Sequence, residues 1–164
     1  MKRQGTTILV IDDDPNDRFM IERAFRKNGV RDTIHLLAGG SEAIDYLNGE
    51  GKFADRKKFE FPSLVITDLK MPEVDGFGVL KHIKRNPQWA VIPTIMLSGS
   101  ADTNDIKNAY LWGAASFLNK PASPTELQDK LKKLYDYWII VEVPQILPSG
   151  EMEETESRGK MGEE

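Results

Sequence analysis

The chain has no cysteine among its 164 residues. Disulfides, thiolate catalysis and cysteine-ligated zinc are therefore excluded together. Histidine is scarce as well: there are only two, His35 in a strand-like run and His82 on a helix-like one, and neither has ligand-spaced company. No stretch approaches the uncharged apolar span of about 18 residues that a membrane-crossing helix needs. Only four apolar residues, 8–11, precede an acidic triplet near the N-terminus, far short of a signal-peptide core. The expectation is a cytoplasmic protein. Net charge is also missing from the body of the chain. Of 26 acids and 22 bases, six acids and two bases fall in 151–164, leaving 20 of each elsewhere. A neutral body carries no electrostatic footprint for nucleic acid. The one short basic run, Arg56-Lys57-Lys58, reads as a solvated turn.

What is present is alternation. Five strand-like runs, at 8–11, about 33–37, 64–67, 93–97 and 116–118, alternate with five helix-like segments. This is the pattern of a doubly wound α/β domain with a parallel sheet. Asp14-Pro15-Asn16-Asp17 offers a cap and a first-turn proline; the helix it opens carries Ile21, Ala24 and Phe25 inward and stops at Asn28-Gly29. Gly39-Gly40-Ser41-Glu42 opens a second helix with Ala43, Ile44 and Leu47 as its buried stripe. Asp75-Gly76 opens a third with Val79, Leu80 and Ile83 inward, closed by Asn86-Pro87. A fourth runs from Asp102 to Trp112 and ends at Gly113. The fifth starts at Ser123-Pro124 and buries Leu127, Leu131, Leu134 and Trp138. Two stretches exceed this plan. Residues 49–62 form a long charged connection holding Phe53, Phe59 and Phe61, either functional or an insertion fastened by its aromatics. Residues 139–148 are apolar, and 149–164 read as an acidic disordered tail.

The polar residues that close four of these runs carry the chemistry. Asp12-Asp13 follows 8–11, Asp68 follows 64–67, Ser98 follows 94–97, and Lys120-Pro121 follows 116–118. The runs read as fully buried parallel strands, whose carboxyl ends share one edge of an open sheet. Carboxylates crowded at that edge need a cation, and an all-oxygen ligand set selects Mg²⁺ or a similar ion such as Mn²⁺. A phosphoryl group there would also need a cation and a hydroxyl donor, which Lys120 and Ser98 supply, with Asp68 as nucleophile. Each residue alone has a plainer reading as a helix cap or turn; their convergence carries the functional one.

Four ordered motifs are similar to a known family. Ile8-Leu-Val-Ile-Asp-Asp-Asp-Pro15, Thr67-Asp-Leu-Lys-Met-Pro-Glu-Val-Asp-Gly76, Leu97-Ser-Gly-Ser-Ala101 and Gly113-Ala-Ala-Ser-Phe-Leu-Asn-Lys-Pro121 resemble the receiver domains of two-component response regulators, over about residues 6–138. The resemblance implies a five-stranded parallel sheet, flavodoxin-like, in the order 2-1-3-4-5 with helices on both faces. It implies that Asp68 accepts phosphate from a sensor histidine kinase. Asp13 and Asp68 would then hold Mg²⁺ directly, Asp12 through water and Lys70 through its main-chain carbonyl. Lys120 would pair with the phosphoryl group, and Ser98 would move toward it and allow Phe117 to rotate inward. Two details depart from the commonest pattern. Lys70 places a charge near the acceptor at a variable position, and Ser98 stands where threonine is commoner.

Only 26 residues follow Trp138, so the expectation is a stand-alone receiver acting through partner binding or phosphorelay. The 49–62 connection and the ending Tyr137-Trp138-x-x-Val141-x-Val143-Pro144 resemble the single-domain regulators associated with bacterial phytochrome kinases. That implies a bacteriophytochrome kinase, a phosphotransfer protein and a second copy of the chain as partners, with Trp138, Ile140, Val141 and Val143 as the dimer surface. Packing of this segment back on its own domain is the alternative. Two rival functions remain at this point. One is a scaffold independent of phosphorylation. The other is a phosphatase of the haloacid-dehalogenase kind, with Asp12 as nucleophile and Asp14 as acid, although that motif wants Thr or Val where Asn16 stands.

Overall fold

Residues 6–100 and 102–152 are described by a computed structural model of the chain. Strand β1 (Thr7–Ile11), helix α1 (Pro15–Lys27), β2 (Thr33–Leu37), α2 (Gly40–Asn48) and β3 (Leu64–Thr67) come first. Then follow α3 (Gly76–Arg85), β4 (Thr94–Ser98), α4 (Thr103–Leu111), β5 (Ser116–Asn119) and α5 (Pro124–Trp138). All five strands are parallel in the order β2-β1-β3-β4-β5, the flavodoxin-like topology that the resemblance implied. The order reverses between β1 and β3, which opens a crevice at their carboxyl ends.

Local chemistry sets the helix starts. Asp14 accepts from the Asn16 N–H at 2.8 Å, Asp75 from Gly78, Asp102 from Asn104 and Asp105, and Ser123 from Glu126. Alternation along the strands then divides the core. Ile8 and Val10 face α1 and α5, where Ile21, Phe25, Leu127, Leu131 and Trp138 meet them. Leu9 and Ile11 face α2 and α3, against Ala43, Leu47, Val79 and Ile83. Each fully buried aliphatic side chain of this kind contributes about 1.5–3 kcal/mol.

Several sequence expectations need correction. β5, read as fully buried, is half-buried down to an exposed Asn119, because as an edge strand it has a neighbour on one side only; β2 at the other edge is likewise largely half-buried. In α2 the buried stripe is Ala43, Tyr46 and Leu47, with Ile44 half-buried. Ser98 is the last residue of β4, not the first beyond it. Trp138, read both as the end of α5's buried stripe and as part of a dimer surface, is 3% exposed and belongs to the core between α1 and α5, joined by a half-buried Val141. It is the last residue of α5, four past Leu134 and seven past Leu131, and so continues that helix's inward stripe.

Residues 49–62 are fastened by their aromatics. Phe53 packs 5.0 Å from Tyr46 and 5.1 Å from Phe59, ring centre to ring centre, and Phe61 lies 5.1 Å from Trp89. The Arg56 guanidinium donates to the Tyr46 and Leu47 carbonyls at 2.7 Å each, satisfying the carboxyl end of α2. Beyond α5 the chain turns across the sheet's opposite end and docks there. The Phe61 N–H donates to the Pro148 carbonyl, Ile146 joins the α2–α3 core, and Gly150 lies against the Phe61 ring. Residues 149–152, expected to begin a disordered tail, instead turn back, the Met152 N–H donating to Gln88 Oε1. Residues 153–164, the rest of that tail, lie outside the described residues.

His35 sits between Tyr46 and Phe59, with ring centroids 5.5 and 5.4 Å away, and its Nε2 has no hydrogen-bond partner. Burial pushes its pKa below the ordinary 6.5, against a smaller opposing pull from Glu60. The unfolded chain therefore takes up a proton that the folded state refuses, and stability falls as pH drops below about 6.5. His82, lowered chiefly by burial, acts in the same sense. A His35→Phe variant is expected to lose less stability between pH 7 and pH 5 than the parent, checked by urea midpoints at each pH.

Candidate functional site

The site is built at the carboxyl edge of the sheet. Asp12 follows β1 and is 1% exposed. Its N–H donates to the Leu37 carbonyl, Oδ1 accepts from the Asp14 N–H at 2.9 Å, and the Arg18 guanidinium reaches its carbonyl at 2.7 Å. Asp13 beside it is exposed. Asp68 follows β3; its N–H donates to the Ile11 carbonyl at 2.8 Å, and Oδ1 accepts from the Leu69 N–H at 2.8 Å. Oxygen atoms of Asp12, Asp13 and Asp68 lie within 4.8 Å of one another. Residues 56 positions apart in sequence thus form one cluster, because β1 and β3 are hydrogen-bonded neighbours.

Lys120 enters from the far edge of the sheet. Its N–H donates to the Ser98 carbonyl at 2.8 Å, carrying the β4–β5 ladder one residue past β5. The side chain crosses to the acids, with Nζ 2.6 Å from Asp12 Oδ2, 2.9 Å from Asp17 Oδ2 and 3.3 Å from Asp68 Oδ2. Ser98 is 1% exposed, and its Oγ accepts from the Ser100 N–H at 3.2 Å. Phe117 is half-buried against Leu80, Met96, Ala109 and Ala114. Lys70 is exposed on the connection after Asp68.

Electrostatics follow from this crowding. Desolvation raises the carboxyl pKa of Asp12 and Asp68, and Lys120 pulls both back only in part. Burial works against the charge of Lys120, but hydrogen bonds to Asp12 and Asp17 outweigh it and hold its pKa above the ordinary value. An all-oxygen cluster whose carboxylates are desolvated and mutually repelling fits a hard divalent cation. Asp12, Asp13 and Asp68 are the carboxylates placed to hold one.

Sequence reading expected Asp12, Asp13, Asp68, Ser98 and Lys120 to converge; the three acids form one cluster, Lys120 reaches Asp12 and Asp68, and Ser98 ends β4 with its carbonyl bonded to the Lys120 N–H. It missed three contributors. Asp17 was legible only as a first-turn helix acid. Gly76 was legible as a helix start, yet a Cβ there would clash with the Asp68 carbonyl, so glycine alone lets α3 close against the end of β3. Tyr110 on α4 accepts the Phe117 N–H at 3.2 Å through its hydroxyl, a contact across elements that no local pattern reveals. Asp14, the acid a phosphatase reading requires, caps α1.

A parallel α/β sheet that converges acids, a lysine and a hydroxyl on one crevice defines a phosphoryl-accepting switch domain. The chain belongs to the response regulator receiver domain family, whose pattern it matches over residues 8–132. FilR2, a probable methanogenesis regulatory protein of Methanothrix harundinacea, is 33% identical over 135 residues, 80% of this chain and 83% of that one. The phosphorylated cyanobacterial phytochrome response regulator RcpA matches with a TM-score of 0.79 at 28% identity, over 86% of this chain and 99% of its own. RPA3017, a response regulator in red light signaling of R. palustris, gives a TM-score of 0.80 at 27% identity, over 85% and 99%. Other curated relatives are longer, and the chain spans about half of them, 51% of one and 49% of another. Among the described residues no helix is long and apolar enough to cross a membrane.

The raised carboxyl pKa of Asp68 has a cost in stability. Below its ordinary 3.8 the group is protonated folded or unfolded; as pH rises through the higher folded value, the unfolded chain releases its proton more readily and stability is lost. Asp68→Asn, which cannot ionise, is expected to have a higher urea midpoint than the parent at pH 7, with the gap closing toward pH 4. Gly76→Ala is expected to cost about 1–3 kcal/mol, because backbone rather than a flexible side chain must yield.

Proposed function

We propose that Asp68 is the phosphoacceptor of this receiver and that Asp12, Asp13, Asp68 and the Lys70 main-chain carbonyl hold its divalent cation, Mg²⁺ or Mn²⁺. The observation that carries the reading is the Lys120 ammonium 3.3 Å from Asp68 Oδ2, beside the three-carboxylate cluster. A cation bound there supplies neutralisation of charge around the transferring group. The protein does the rest. An Asp68 carboxylate oxygen attacks phosphorus of a kinase phosphohistidine; the N–P bond breaks, its electron pair stays on the imidazole nitrogen, and an acyl phosphate forms. Lys120 pairs with the new phosphoryl oxygens, and Ser98, its hydroxyl now accepting from Ser100, turns to donate to them. Phe117 fills the space that Ser98 leaves, and the rearranged face binds the next partner or returns phosphate to a phosphotransfer protein.

The chain acts in the cytoplasm in this reading, a sensor histidine kinase is the donor, and a bacteriophytochrome is favoured by the likeness to RcpA and RPA3017. A homodimer is part of the proposal. Of the expected surface Ile140 is retained, 74% exposed, and exposed Tyr137 and Ile139 are added, while half-buried Val143 lines a small cavity together with the chain's own Ser63 and Ile92. Ile140→Asp is then expected to shift the solution mass toward the monomer by light scattering.

Incubation with Mg²⁺ and acetyl phosphate tests the central claim. One hydroxylamine-labile phosphate per chain is expected at Asp68, absent from Asp68→Asn and after chelation of the metal. A folded protein that takes no label would leave the scaffold reading in its place.

A further inference from the structure

Asp17 is not among the residues assigned above to the phosphoryl chemistry, yet its carboxylate touches the ammonium that serves it. Oδ2 lies 2.9 Å from Lys120 Nζ and accepts a hydrogen bond from it. An acid in the first turn of a helix is ordinary, because the helix dipole favours it. This one has a second relation: the ammonium it binds also contacts Asp12 and Asp68. Nζ has three N–H donors, and three carboxylates stand within 3.3 Å of it. Two of the donors are engaged in hydrogen bonds, to Asp12 and Asp17, and Asp17 therefore occupies one that a phosphoryl oxygen could use.

A phosphoryl group on Asp68 brings more acceptor oxygens and more negative charge than the carboxylate, and so competes with Asp12 and Asp17 for the ammonium. Asp12 is 1% exposed, and taking its cation away would leave a buried charge unpaired. Asp68 is itself the group that changes. Asp17, whose side chain is 41% exposed, can turn to water at little cost. We propose that Asp17 is a positioning residue that parks Lys120 in the resting state and competes with the incoming phosphoryl group for it. Its bond to Lys120 is broken when the switch is thrown, so it sets part of the gap between the resting and phosphorylated states. The proposal rests on Asp68 being the phosphoacceptor.

The test uses the full chain with Mg²⁺ and beryllofluoride as the phosphoryl analogue, its affinity measured by titration calorimetry. Asp17→Asn keeps the side-chain shape and removes the charged competitor; binding is expected to tighten roughly threefold, the scale of one partly exposed ion pair. Asp14→Asn is the control. It removes the same charge from the same end of α1, keeps a good helix cap, and does not touch Lys120. It is expected to stay near the parent, and Asp17→Glu to lie closer to the parent than Asp17→Asn does. Equal tightening in Asp17→Asn and Asp14→Asn would reduce the effect to general charge and overturn the proposal. Weaker binding in Asp17→Asn would overturn it too, since Asp17 would then be helping Lys120 reach the phosphoryl group. A parent chain that neither binds the analogue nor takes label at Asp68 would overturn the reading of Asp68 itself, so the two failures are distinct.

Discussion

The contact on which the site depends is the Lys120 ammonium held among Asp12, Asp17 and Asp68, reaching inward from the end of an edge strand. Carboxylates brought this close and partly desolvated repel one another, and the lysine is the cation that the chain itself supplies. It is also the link between the far edge of the sheet and its centre. β5 is separated from β1 by β3 and β4, so the lysine side chain links strands that are not neighbours, from the common edge where they end. Everything beneath that contact serves to hold the strand ends level: the alternating core of β1, the caps of α1 and α3, and the glycine that lets α3 close on Asp68.

The two ends of the sheet have opposite characters. At the carboxyl end polar groups crowd together with raised carboxyl pKa values, an arrangement that gives up stability and leaves charge ready to respond. At the other end the returning segment after α5 and the loop over 49–62 cover the core with aromatic and aliphatic contacts. A switch needs a firm body for its movable parts to work against. In the proposed switch the movable parts are few: the Ser98 hydroxyl, the Lys120 ammonium, the half-buried Phe117 ring and the Tyr110 hydroxyl, which accepts from the Phe117 backbone.

Much of the fold could be read along the chain, for physical reasons specific to each element. β1, β3 and β4 are short apolar runs bounded by polar residues, and such runs have little choice but burial. The helix starts announced themselves through Asp14, Asp75, Asp102 and Ser123, because capping is a local interaction. The errors fell where burial depends on neighbours. β5 lies at an edge of the sheet, and Tyr46 replaced Ile44 in the inner face of α2. Neither outcome is encoded within one turn of its own residue.

The site divides along the same line. Asp12, Asp13, Asp68, Ser98 and Lys120 were legible in sequence because each closes a strand, and parallel strands in one sheet end at a common edge. The sequence alone therefore determined the fold class, the chemistry of the cluster and the family. Only the tertiary structure decided that Asp17 is a partner of Lys120, that Gly76 must lack a side chain, and that Tyr110 holds the backbone of Phe117. These are contacts between elements distant along the chain, set by helix-to-sheet packing, and a side chain's own neighbours in sequence carry no record of them.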